Sequence, residues 1–152
     1  MKNVVFLNNP QPQDVLDSGK FYIGNSNITF FSDVFLFGAN INGKDPDHPK
    51  LYYNNEIRAV IKQREKVIKP LQNKGIKVHL SYLGNHQEAG WSCPMKQETI
   101  MRLSSIMVRT VNKFKLDGIN VNDEYSICAP TPDSLYSLLR EIKANPSFFL
   151  EN

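Results

Sequence analysis

Leu116-Asp117-Gly118-Ile119-Asn120-Val121-Asn122-Asp123-Glu124-Tyr125 is the stretch on which the reading of this chain turns. In a strand, side chains alternate faces with period two, so Ile119 and Val121 fall on one face and Asn120, Asn122 and Glu124 on the other. A strand buried in a parallel sheet is normally apolar on both faces. Three polar groups in a row must therefore be hydrogen-bonded together or line a site. The strand is expected to end at Glu124 with a helix after it. In barrels of alternating strands and helices, active sites lie at the carboxyl ends of the strands. A carboxylate there, with polar groups beneath it, is a candidate general acid. The plainer alternative is a hydrogen-bonded row that only fixes the barrel interior, and alternation alone does not decide between the two.

Working outward, the rest of the 152 residues supplies the elements such a barrel needs. Val4 to Leu7 reads as a short buried strand and Pro10 to Ser18 as a loop of turn residues. Val34 to Asn42 is a continuous apolar run that turns polar at its end, as suits a strand covered on both faces. Gly43 to Pro49 is a polar loop. Asn55 to Gln72 predicts a helix, with Ile57, Val60, Ile61, Val67, Ile68 and Leu71 at helical spacing. Pro70 predicts a kink or an early stop near its end, and Asn73-Lys74-Gly75 supplies the stop signal. Ile76 to Leu83 is the next strand, with the loop Gly84 to Trp91 after it. Gln97 to Phe114 and Pro132 to Ala144 are two further helices on either side of the Leu116 strand. Alternating strands and helices of this length predict an α/β fold of parallel strands with right-handed crossovers. The chain reads as a single domain, residues 1–152.

Composition narrows the function classes. Net charge is +3 with 22% charged residues, too mild for nucleic acid or a membrane surface, and the basic residues are scattered along helix-like stretches. No apolar run approaches a membrane span. The first eight residues hold too few apolar positions for the core of a signal peptide, so the expected location is cytoplasmic by default. His48, His79 and His86 are dispersed, and neither Cys93 nor Cys128 has metal-ligand spacing around it, so no metal and no cofactor is expected. The two cysteines are expected as free thiols. Both fall in loops at the same end of the fold, where adjacent strands would bring them close, but without an export signal nothing supports a disulfide.

Asp117-Gly118-Ile119-Asn120-Val121-Asn122-Asp123-Glu124 resembles the signature of glycoside hydrolase family 18, D-G-x-D-x-D-x-E, with Asn120 and Asn122 in place of two aspartates. Lys77 to Gln87 resembles the third-strand segment of endoglycosidase H and its relatives. Phe37 to Asn42 resembles their second strand, and Pro70-Leu71-Gln72 with Gly75-Ile76-Lys77 resembles the end of the intervening helix. These segments keep the family's order over nearly the whole chain. The resemblance implies the first half, about four β/α units, of a TIM (β/α)8 barrel. It also implies an endo-β-N-acetylglucosaminidase that cleaves the chitobiose core of N-linked glycans, in a family often secreted.

The resemblance gives roles to residues. Glu124 takes the place of the general acid and base, Asn122 that of the group orienting the substrate acetamide, and Asn120 that of the deeper acid. Asp117, Gly118 and Asp123 complete the motif. Asn40, Asn85, His86, Gln87, Trp91 and Tyr125 lie where the sugar is expected. Trp91 could stack on a sugar face, or could be a half-buried rim aromatic. An asparagine at 122 can accept an N–H but supplies no negative charge, so weak hydrolysis is expected. Two other outcomes stay open: a non-catalytic glycan-binding relative, and an inactive gene fragment. A full barrel takes roughly 250 residues. A half barrel leaves its first and last strands unpaired, so a gene fragment that folds marginally, as a monomer with an open sheet, is expected first, a homodimer closing the barrel next, and a complex with a separate second half after that.

Overall fold

The computed structural model describes residues 2–148. Five strands form one sheet: β1 (Val4–Asn8), β2 (Asp33–Asn42), β3 (Lys50–Tyr53), β4 (Lys77–Leu83) and β5 (Gly118–Val121). The order is β1-β2-β4-β5, with β3 pairing to β2 off that path. β1 and β2 run parallel, Val4 opposite Asp33 through Asn8 opposite Phe37. The helices are α1 (Pro12–Ser18), α2 (Asn55–Lys62), α3 (Arg64–Val67), α4 (Lys69–Gln72), α5 (Gln97–Lys113) and α6 (Pro132–Ala144), with a short 3-10 turn at Pro146–Phe148. Asn145 to Asn152 reads in the sequence as a short tail, and its last four residues lie outside the described residues.

The chain forms two compact units. The first takes in the chain up to Gly38, Tyr53–Ser81 and Leu116–Asn120; the second takes in Ala39–Tyr52, Tyr82–Lys115 and the chain from Val121 on. In the first, Val34, Leu36, Ile57, Val60, Leu71, Val78 and Leu80 are buried. In the second, α5 and α6 pack together, and Leu103, Met107, Leu138 and Ile142 are buried, as are Tyr82, Trp91 and Cys93.

Several elements depart from expectation for identifiable reasons. The segment expected as a loop up to Ser18 contains α1. Pro12 occupies its first turn, where a missing N–H costs nothing, and the Gln11 N–H donates to Asp14 Oδ2 at 2.8 Å. β1 is not buried: its pattern alternates, with Val4 47% and Phe6 55% exposed. It stands at the end of the strand order, and Phe6 stacks on Phe35, ring centroids 4.7 Å apart. The single expected helix from Asn55 is three helical pieces. α2 opens on Asn54, whose Oδ1 accepts the Ile57 N–H at 2.8 Å, and ends at Gln63, whose ψ of 25° leaves the helical well. Pro70 then sits in the first turn of α4. The stop signal is a Schellman cap. Gly75 has φ +80°, its N–H reaches Gln72 O, and the Ile76 N–H reaches Leu71 O, with Ile76 and Leu71 both buried. β3 follows the polar loop as a strand too short for its pattern to announce.

Candidate active site

The first part of the Asp117–Glu124 motif belongs to the first unit and is structural. Asp117 accepts the Val78 N–H at 2.7 Å and the Gln72 side chain at 2.9 Å, and its own N–H donates to Val78 O. Gly118 carries no side chain because one would collide with His79: a Cβ there would lie 2.8 Å from His79 Nδ1. His79 in turn stacks on Phe35 and bonds Asp33 Oδ1 at 2.8 Å. Burial pushes the Asp33 carboxyl up, but hydrogen bonds from Ser32 and His79 outweigh it and hold the group below the usual carboxylate range. Asn120 Oδ1 accepts the Ser81 hydroxyl at 2.9 Å, so this oxygen is engaged within the sheet.

The second part of the motif leaves the strand. β5 ends at Val121, not at Glu124. The Asn122 N–H donates to Tyr82 O at 3.1 Å, and the Gly84 N–H then reaches Glu124 O at 2.9 Å. A regular parallel ladder would take Gly84 to the Asn122 carbonyl, so the chain slips two residues here. Period-two alternation therefore holds for Ile119 to Val121 and does not carry on to Glu124. Glu124 stands on a turn, with its side chain exposed.

Loop residues of the second unit surround this turn. The His86 N–H donates to Tyr125 O at 2.5 Å, the Ile127 N–H to Gln87 O at 3.0 Å, and Gln87 and Ser126 form a parallel bridge. His86 and Tyr125 both have left-handed backbones, φ 52° and 62°, and their rings lie 5.4 Å apart. Both are exposed, so His86, Glu124 and Tyr125 offer side chains to solvent from one pair of bonded turns. Asn85 and Asn122 are half-buried. Asp123 accepts the Ser92 N–H at 3.3 Å. Asn40 and Gln87 have framework work: Asn40 Nδ2 donates to Gly84 O at 3.0 Å, and Gln87 Oε1 accepts the Gly43 N–H at 2.8 Å.

Two expectations fail here. Trp91 neither stacks in the open nor lies half-buried. It is fully enclosed, and its Nε1–H donates to Tyr82 O at 2.7 Å, so it has no face to offer a sugar. The thiols are not free either: Cys93 and Cys128 form a disulfide, Cα atoms 5.6 Å apart. The loops after β4 and β5 lie alongside each other, and that proximity brings the two sulfurs together. Asn42, which the sequence did not single out, closes β2 with its Oδ1 buried and without a hydrogen-bond partner among the described residues. The signal for it was the polar end of the apolar run. Also among the described residues, no group of three or more His, Cys, Asp or Glu could hold a metal ion, and no helix is long and apolar enough to cross a membrane.

Comparison with known proteins gives this geometry its context. The chain is 38% identical over 122 residues to an endo-β-N-acetylglucosaminidase of Flavobacterium sp. (strain SK1022), covering 80% of this chain and 37% of that enzyme. It is 35% identical over 121 residues to endo-β-N-acetylglucosaminidase F1 of Elizabethkingia meningoseptica, covering 78% of this chain and 35% of that enzyme. Among solved structures, EndoBT-3987 of Bacteroides thetaiotamicron with Man5GlcNAc product superposes with TM-score 0.82 at 25% identity, over 98% of this chain and 36% of that one. A GH18 chitinase from Pseudoalteromonas aurantia shares the fold, with TM-score 0.56 at 17% identity over 97% of this chain and 54% of that one. No family model matches the chain. Parallel strands alternating with helices, with polar side chains gathered on the loops after β4 and β5, make this part of a (β/α) barrel of the glycosidase class. The chain belongs to glycoside hydrolase family 18, on its endo-β-N-acetylglucosaminidase side, and spans little more than a third of the length of the curated relatives it matches.

Proposed function

We propose that this chain is directed at the chitobiose core of N-linked glycans, with Glu124 as the proton-transferring group of a substrate-assisted retaining hydrolysis that its asparagines impair. The observation that carries the reading is Glu124 itself. It is an exposed carboxylate on a turn bonded to the end of β4, at the motif's acid position, next to the exposed rings of His86 and Tyr125. In this chemistry the enzyme supplies no nucleophile. The substrate's own acetamide oxygen attacks the anomeric carbon, forming an oxazolinium ion while Glu124 gives its proton to the leaving oxygen. Glu124 then takes a proton from the water that opens the ring. The solved relative EndoBT-3987 holds a Man9GlcNAc2Asn substrate, which supports a glycan as the ligand class.

Asn122 stands where the motif has the aspartate that orients the acetamide and balances the developing positive charge. Its amide can accept the acetamide N–H but carries no charge. Loss of one such preorganised partner costs about 3 kcal/mol, or roughly a hundredfold in rate. Asn120, its Oδ1 engaged by Ser81, stands in place of the deeper acid. These two asparagines also favour a second reading, a glycan binder without turnover.

The test is incubation with a high-mannose glycopeptide, following release and retention together. Restoring the acids, Asn122→Asp with Asn120→Asp, raises release, and Glu124→Gln abolishes it. Retention without release in every variant selects the binder. Turnover by the unaltered chain that the double change fails to improve refutes the electrostatic account, and neither release nor retention marks an inactive remnant. The reading includes a protein partner. β1 and β5 stand at the two ends of the strand order, and a second copy or a chain carrying further β/α units would pair with them. Sedimentation at rising concentration tests the homodimer, which a constant monomer mass excludes.

A further inference from the structure

We propose that the Cys93–Cys128 disulfide is a positioning device for Glu124, and that its reduction by an external dithiol frees the turn that presents the carboxylate; the proposal rests on the reading of Glu124 given above. The segment from Asn122 to Cys128 has little apolar burial to hold it. Asp123, Glu124, Tyr125 and Ile127 are exposed, and Asn122, Ser126 and Cys128 are half-buried. It is held instead by polar bonds to the loop after β4. The His86 N–H donates to Tyr125 O, the Ile127 N–H to Gln87 O, the Ser126 hydroxyl to Ala89 O, and the Ser92 N–H to Asp123.

These bonds act at an approach so close that two glycines are required for it. A Cβ on Gly84 would lie 2.7 Å from Glu124 O, and one on Gly90 would lie 1.9 Å from Ser126 Oγ. At the heart of this approach His86 and Tyr125 keep left-handed backbones, which non-glycine residues hold only when their surroundings enforce it. Exposed hydrogen bonds are each worth little against water. The covalent link between Cys93, fully buried in the second unit, and Cys128, at the end of the segment, is what keeps the set together.

The chemistry balances as ordinary thiol exchange. A thiolate of the dithiol attacks the sulfur of half-buried Cys128, and the Cys93 sulfur leaves and takes a proton. The reductant's second thiol then displaces Cys128 as a thiol and closes its own disulfide. Two electrons and two protons pass to the protein, and the dithiol is oxidised.

Nuclear magnetic resonance on the whole chain tests this, comparing oxidised protein, protein in dithiothreitol, and the Cys93→Ser/Cys128→Ser variant. In the two forms without the bond, the His86 and Ile127 amides exchange roughly thirty-fold faster or more, a factor set by the low end of what a disulfide contributes. The ring-to-ring Overhauser effect between His86 and Tyr125 disappears, while the Trp91 indole N–H, bonded to Tyr82 O, keeps its position and protection. Reoxidation restores both lost signals. Unchanged His86 and Ile127 exchange with the ring contact intact would overturn the proposal. So would loss of the Trp91 signal in step with them, which would make the bond a staple of the whole unit. No glycan enters this measurement, so a chain inert towards glycans leaves its result standing, whereas an active chain indifferent to reduction overturns the positioning role alone.

Discussion

Replacing Trp91 by Phe separates a core tryptophan from a sugar platform. The indole is fully enclosed, and its N–H bonds Tyr82 O, a carbonyl that also receives the Asn122 N–H. Phe removes one donor but leaves that carbonyl partnered, so the hydrogen-bond loss is near the low end, about 1 kcal/mol. The missing part of the indole leaves a space in the packing around Tyr82, worth about 1–2 kcal/mol more. The expected destabilisation is therefore roughly 2–3 kcal/mol, which at ordinary urea slopes lowers the unfolding midpoint by about 1 M or more. Urea titration followed by circular dichroism reads that shift. Calorimetric titration with a chitobiose-containing glycopeptide, under conditions where the variant is folded, reads the other half. Affinity should stay within about twofold, because no face of the ring reaches solvent. An unchanged urea midpoint together with a tenfold loss of glycan affinity would refute the assignment and return Trp91 to the sugar site.

Two further expectations concern the first unit. Asn54 both caps α2 and donates to Asn9 Oδ1, so Asn54→Ala should cost about 1–2 kcal/mol in urea unfolding, and a change within 0.3 kcal/mol would show the cap to be idle. Asp33 is held below the usual carboxylate range by Ser32 and His79, although burial works against it. A depressed folded value means its contribution is complete above the unfolded value, about 3.9, and is lost as pH falls through the folded one. Stability should therefore drop on acidification below about pH 4, more shallowly in Asp33→Asn, and parallel pH profiles for the two proteins would exclude the pair as a cause.

What the sequence could say depended on how many residues a feature spreads over. α5 and α6 are long and amphipathic, and their expected limits lie within a residue of those observed. β2 and β4 show as apolar runs because one face or both is covered along most of their length. α1 has seven residues and β3 four, too few for a period to emerge, and Pro12 reads as a turn unless its place in a first helical turn is recognised. Asp117 and Gly118 were visible as motif letters, but the reasons for them are long-range: the Val78 N–H and the His79 ring. Glu124 was legible as an acid and misplaced as a strand residue, because the two-residue slip after Val121 is set by bonds to Gly84 and His86. The disulfide was hidden behind an inference from compartment, when it was the neighbourhood of two loops that decided it.

The strand order carries a consequence for how the chain can be made. β2 pairs with β1, β3 and β4 with β2, and β5 with β4, so each strand finds its partner among those synthesised before it. A polypeptide leaving the ribosome from its N-terminus can therefore pair each strand after β1 with one already made. Lengthening such a sheet by another β/α unit leaves every earlier pairing in place, a form of growth open to duplication of a gene segment as readily as to translation.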